Sequence, residues 1–314
     1  MCSRKGTQME TCVVLGEEDY PVLLEELYKL LPRSLMVYYP LMLSHRNLIP
    51  KFKYICVDKW PEFDCVLEVE NLADDVSPHR VNGFCRREEY SVALHRMICH
   101  VLQESPSDIL LFGGPKRMVE IISMSRDVDA SNISGAGCCG SKKIQDTTTS
   151  SVHLAYTNNA YRVSRETLKK TEVPTPFTVS TISEEYMELI LSHWEYKDVF
   201  SDAREYFTPI ATSLESVCIL NEKGDLVAWG FEQHYGAIGM IHVLPEYRRK
   251  KLGSAVVSLL SEKLLQKHDF VYSAIVADNT ASIVMHKNVG YEQCDADPES
   301  VFSWFMYEKD KTKQ

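Results

Sequence analysis

Residues 237–264 constrain this chain more than any other stretch. A β-type run, Ala237 to Val243, passes through Leu244-Pro-Glu-Tyr-Arg-Arg-Lys-Lys-Leu-Gly-Ser254 into a segment whose Leu252, Val256, Leu259, Leu260 and Leu264 share one helix face. A helix with one apolar face directly after a strand packs back against a sheet. In the order strand, basic turn with a glycine, helix, the backbone N–H groups of the helix N-terminus face an anion. Two phosphates of a pyrophosphate would find donors there, with Arg248, Arg249, Lys250 and Lys251 adding charge-assisted bonds at the edge. A basic run by itself is more often a solvated surface, so the surroundings decide its meaning.

Those surroundings are regular. Strands are expected at Phe177–Ile182, Ser216–Leu220, Leu226–Gln233, Phe270–Ala277, Tyr291–Cys294 and Val301–Met306. Ser183 followed by Glu184 and Glu185 reads as a helix start, a second helix is expected near Asp198–Thr212, and a short one at Asn279–Asn288. Asn221-Glu-Lys-Gly-Asp225 has hairpin chemistry, Gly224 being free to take positive φ. The amino-terminal half is mixed: helices at Tyr20–Leu31, Tyr90–Leu102 and Pro115–Met124, strands at Leu35–Tyr39, Lys53–Val57 and Cys65–Val69, and no constellation that suggests catalysis. Between the halves, residues 125–151 are rich in Ser, Thr, Gly and Asp and offer little apolar area to offset ordering entropy, so they read as a loop. Val173-Pro-Thr-Pro176 forces an extended chain. The expected division is 1–170, including the loop, and 171–314.

With 314 residues, 45% hydrophobic and 25% charged, the chain has the composition of a globular protein with room for about two domains. Its net charge of −10 repels phosphate backbones, arguing against a general nucleic-acid role. No apolar run is long enough to span a bilayer. The ten cysteines are scattered with no C-x-x-C spacing, which argues for reduced thiols and against a metal site or a secreted disulfide framework. Residues 1–10 lack the apolar core of a secretory signal.

Ile241-His-Val-Leu-Pro-Glu-Tyr-Arg-Arg-Lys-Lys-Leu-Gly-Ser254 resembles the acetyl-CoA signature of the GNAT acyltransferases, and Asn279-Thr-Ala-Ser-Ile-Val-Met-His-Lys-Asn-Val-Gly-Tyr291 resembles that superfamily's second motif. Leu31-Pro-Arg-Ser-Leu-Met-Val-Tyr38, Val57-Asp-Lys-Trp-Pro-Glu-Phe-Asp64, Ser216–Asp225, Trp229 and Pro245–Arg248 are similar to stretches of the glycine N-acyltransferases and their paralogues. The resemblance implies an α/β (α+β) fold: a GNAT-type, mainly antiparallel mixed sheet flanked by helices in the carboxy-terminal domain, with a second, GNAT-like mixed domain before it. It implies acyl transfer from acyl-CoA to the amino group of glycine or another small amino acid, with acyl-CoA as cosubstrate and no permanent cofactor or metal. Partners would be that cosubstrate and the amino acid, without nucleic acid. The location would be intracellular, mitochondrial or cytoplasmic; the sequence leaves the oligomeric state open, a monomer included. Two rival readings stand beside it: a catalytically silent acyl-CoA-binding or regulatory protein, and an acetyltransferase for a protein or polyamine amine.

By the same resemblance, CoA would be held by Val243, Leu244, Arg248, Arg249, Lys250, Lys251, Leu252, Gly253, Ser254 and Asn279, with the N–H of Val243 or Leu244 serving the thioester carbonyl or pantetheine. Two positions depart from the family. Lys251 replaces the first glycine of R-x-x-G-x-G/A, at a cost of about 1 kcal/mol if the turn needs positive φ there. Ala237 falls where the family carries a basic glutamate, leaving His242, His234 and Glu232 as candidate bases. His286 occupies the position of a tyrosine acid and is the candidate donor to the leaving thiolate.

Overall fold

A computed structural model describes residues 12–71, 78–86, 92–105, 107, 109–115, 118, 151–294 and 302–308. Residues 1–10, the expected loop except Ser151, and the expected Pro115–Met124 helix except Pro115 and Met118 lie outside the described residues. In chain order the elements are β1 (Val13–Val14), α1 (Tyr20–Tyr28), α2 (Leu35–His45), β2 (Phe52–Val57), β3 (Cys65–Glu70), β4 (His79–Cys85), α3 (Val92–Glu104), β5 (Ile109–Pro115) and β6 (Ser151–Ser164). There follow β7 (Thr178–Ser180), α4 (Met187–Ser192), α5 (Ala203–Ser213), β8 (Ser216–Leu220), β9 (Leu226–Glu232), β10 (Ala237–Val243), α6 (Leu252–Leu264), β11 (Phe270–Val276), α7 (Thr280–Asn288), β12 (Glu292–Gln293) and β13 (Phe302–Glu308).

All the strands join one sheet in the order β1-β2-β3-β4-β5-β13-β6-β11-β10-β9-β8-β7, with β12 added to β6. Pairing is antiparallel except for β4 with β5 and β10 with β11. Each parallel pair is joined by a helix, α3 or α6, so the two halves repeat one β-α-β unit. The repeats differ in one respect. β4 and β5 stay in register from His79↔Leu110 to Asn82↔Gly113, whereas β10 and β11 pair only at Ala237↔Tyr272 and Ile238↔Ser273 and then part.

The strands and helices of the carboxy-terminal half follow the expected order. Gly224 takes φ +84° in the β8–β9 turn, and Asp202 caps α5 by accepting from the Arg204 and Glu205 N–H groups, both at 2.9 Å. The buried stripe of α6 packs on β8–β11. The strand expected at Leu35–Tyr39 is instead the start of α2. Residues 35–37 and 39–44 are buried: Val37 and Leu41 belong to a core with β2–β4, while Met36, Tyr39 and Leu43 join Trp229, Phe231 and Tyr272 of the other half. A helix buried on opposite faces has no apolar period to read, and Pro40 removes just one of its hydrogen bonds.

The splayed strands and the histidine cleft

Beyond Ile238, β10 carries a bulge. Gly239 pairs with Phe231 and His242 with Trp229, so three steps on β10 match two on β9, and Met240 within the bulge has φ +50°. Gly230 opposite lets α6 pack closely on the sheet, since a Cβ there would meet Val256 Cγ1 at 2.6 Å. The Leu244 N–H is used, donating to Val227 O at 3.0 Å. Antiparallel alternation therefore turns the Val243 N–H and C=O away from β9, toward the gap that β11 has left. On that side Arg248 Nε donates to Val243 O at 3.1 Å, tying the basic turn to the strand end. Of the two N–H groups expected to face a thioester, Val243 has the free direction and Leu244 does not.

The turn itself has an unusual backbone. Arg249 and Lys251 both take positive φ, +66° and +62°, and flank Lys250, so successive N–H groups converge in the manner of an anion-binding nest. The cost anticipated for Lys251 is thus incurred. Lys251 is the N-cap of α6 without a side-chain cap, leaving the first-turn N–H groups of Leu252, Gly253 and Ser254 without intrahelical partners. Gly253 lets this end approach α7, because a Cβ there would lie 2.7 Å from Met285 Sδ. Lys250 is turned aside, its ammonium 5.0 Å from the Tyr247 ring centroid and 5.7 Å from that of Phe177. Arg248 to Lys251 are exposed.

From the gap a cleft of about 310 Å³ runs inward to the amino-terminal half. His242, Trp229, Ser273, Asn279 and His286 line its outer part; Gln233, Tyr235, Arg80 and Trp304 line its inner end. Asn279 caps α7, its Oδ1 accepting from the Ser282 N–H at 3.0 Å. His242 stacks on Trp229 (4.8 Å between centroids, 22° between planes), with His193 4.8 Å away. Its Nε2 is buried with no partner among the described residues, and desolvation, with help from His193 and Arg248, lowers its pKa to about 4. His286 is 1% exposed. Its Nδ1 lies 2.8 Å from Ser282 O, an acceptor only, so Nδ1 carries the proton and Nε2 presents a lone pair. That Nε2 is also buried without a partner among the described residues, and desolvation brings the pKa to about 4. In this neutral tautomer His286 Nε2 accepts a hydrogen bond, and it can donate one only after it has taken up a proton.

The other two candidate bases are already committed to protein partners, although His234 also lines the cleft. His234 has Arg80 Nη1 2.8 Å from Nε2 and Tyr206 Oη 3.1 Å from Nδ1, and Arg80 in turn is paired with Glu70. Burial first, and the Arg80 charge second, push its pKa well below the usual imidazole value. With both ring nitrogens engaged, it links β4 to the β9–β10 turn and has no nitrogen free for an amine. Glu232 is 4% exposed, accepts from the Glu215 N–H at 3.1 Å and does not line the cleft. Ala237 is fully buried in the core shared with Tyr39, Trp229 and Tyr272. Sequence reading missed Arg80, His193, Trp194, Tyr235 and Trp304, which reach the cleft from four separate stretches; only their aromatic or cationic character marked them.

A family model described as FR47-like protein matches residues 216–299, the segment that holds the gap, the basic turn and α7. The glycine N-acyltransferase-like protein Keg1 of Rattus norvegicus is 23% identical over 251 residues, 76% of this chain and 81% of the relative. A Drosophila protein solved by X-ray crystallography superposes with a TM-score of 0.67 at 16% identity, covering 95% of this chain and 98% of that one. A tandem GNAT protein from the clavulanic acid biosynthesis pathway gives 0.54 at 12% identity, covering 95% and 98%, and a GCN5-related N-acetyltransferase from Sphaerobacter thermophilus 0.56 at 10%, covering 96% of each. The resemblance to glycine N-acyltransferase-like proteins is borne out, and the fold is that of tandem GNAT proteins.

Proposed function

We propose that this chain, similar to a glycine N-acyltransferase-like protein and folded as a tandem GNAT, is an N-acyltransferase that moves an acyl group from acyl-CoA to the amino group of glycine or another small amino acid. The observation that carries this reading is the parting of β10 from β11 beside the convergent N–H groups of the basic turn. A pyrophosphate would sit on Arg249 to Ser254, the pantetheine arm would take the place of the missing β11 partner, and the thioester carbonyl would accept from the Val243 N–H. The amine nitrogen bonds to the carbonyl carbon, the C–S bond breaks, and a proton must leave nitrogen and reach sulfur.

Among the described residues, His242 and His286 present the two buried imidazole nitrogens of the cleft that have no partner. Each is neutral at pH 7 and weak as a base, yet an imidazolium formed in such surroundings is a strong acid. His286 Nε2 can take the proton from the tetrahedral adduct, whose ammonium is itself acidic, and deliver it to the departing thiolate. This replaces the family's separate base and acid by one relay. Thiol release should be measured over glycine, glutamine and other amino acids with several acyl-CoAs. Turnover that falls about 100-fold in His286→Gln, with CoA affinity retained, is the expected result. CoA binding without turnover for every pair would instead identify a silent acyl-CoA-binding protein.

A further inference from the structure

The inner end of the cleft is built from both halves. The β9–β10 turn, Gln233 to Gly236, closes with the Gly236 N–H donating to Gln233 O at 2.7 Å. It is docked against α2, since a Cβ on Gly236 would lie 2.1 Å from the Tyr39 ring. Gln233 is 4% exposed and lines the cleft, and its Nε2 is buried with no hydrogen-bond partner among the described residues. A buried amide N–H left unmade is costly, which points to an acceptor supplied by a ligand. The Gln233 side chain lies along the β10 bulge, its Cγ 3.1 Å from where a Gly239 Cβ would stand. The orphaned donor therefore sits at the inner end of the cleft, beside the start of the β10 bulge.

Arg80 lines the same end and is the only lysine or arginine among the described residues of the lining. Its Nε and Nη2 face Glu70, its Nη1 faces the His234 ring, and Tyr206 takes a further side-chain hydrogen bond, which leaves at most one of its five N–H groups. Its side chain keeps 12% exposure. Because Glu70 already balances its charge, selection at this end falls on directed hydrogen bonds rather than on net attraction.

We propose that Gln233, backed by Arg80, is the subsite that receives the acceptor's carboxylate, so that the enzyme selects free amino acids over amines lacking that group. The inference rests on the N-acyltransferase reading, but its test does not require turnover. The full chain, saturated with CoA, is titrated with N-acetylglycine and N-acetylglycinamide by calorimetry, in the wild type, Gln233→Glu and Gln233→Met. The acid should bind at least tenfold more tightly than the amide. Gln233→Glu should weaken the acid at least 30-fold and Gln233→Met several-fold, with the amide and CoA changed less than threefold. Equal affinity for acid and amide, no acid binding at millimolar concentration, or an indifferent Gln233→Glu overturns the proposal. Acid preference without amine turnover would remove the enzymatic reading and leave the subsite; turnover without acid preference would do the opposite.

Discussion

Ala237 illustrates how much one side chain's direction decides. Its methyl group is fully buried in the core with Trp229 and Tyr272 and does not line the cleft. Replacing it with glutamate would bury an unpaired carboxylate, so Ala237→Glu should lower stability by about 2–4 kcal/mol and restore no activity. Urea unfolding and thiol release check the two halves of that statement. Histidine burial sets the acid response. His242, His268 and His286 have folded pKa values of about 4, against 6.5 when exposed, with desolvation the main cause in each. Between pH 6.5 and 4 the unfolded chain binds more protons, so the stability these residues confer is complete above pH 6.5 and is lost as pH falls toward 4. Glu68, held well above the carboxylate range by burial, acts with opposite sign at higher pH. The difference between wild type and His286→Gln isolates one imidazole: unfolding midpoints at pH 7.5 and 5 should lie closer together in the variant.

Among the elements, those whose chemistry is local were legible. Gly224 in its hairpin, the stripe of α6 and Asn279 at the start of α7 each depend on neighbours within one turn or one helix, and each stands where its residues implied. α2 was misread because burial on opposite faces erased its period. The inner cleft was invisible for a different reason: Arg80 of β4, Trp304 of β13 and Gln233 after β9 are brought together by strand order, which no local pattern encodes. His286, singled out in the sequence, lines the cleft, but its tautomer, which Ser282 O fixes, had no sequence signal. The basic turn carries an element-scale prediction. Lys251→Gly should relieve the left-handed strain and stabilise by about 0.5–1 kcal/mol, less whatever chain entropy glycine gives back to the unfolded state. If backbone groups hold the pyrophosphate, CoA affinity measured by calorimetry will change by less than about threefold, one surface charge contributing little.

At the scale of the whole molecule, the halves are joined by more than a linker. Arg80 bonds to Glu70 within its own half and to His234 across the joint, and its guanidinium lies 4.6 Å from the Tyr206 ring centroid. Arg80→Leu strands Glu70 and unties His234, and should cost about 3–5 kcal/mol; Arg80→Leu with Glu70→Leu should recover much of that. Thermal unfolding of the three proteins distinguishes a paired network from simple packing. The place of β13 has a consequence for how the chain comes into being. It pairs over seven residues with β5, from Phe302↔Pro115 to Glu308↔Ile109, and on its other side with β6. During synthesis β5 leaves the ribosome long before β13 exists, and its lateral backbone groups wait without their native partner while some 190 residues are added. The first half therefore cannot mature as an independent unit, closure of its sheet is a slow, long-range event, and the waiting edge is where a chaperone would be needed.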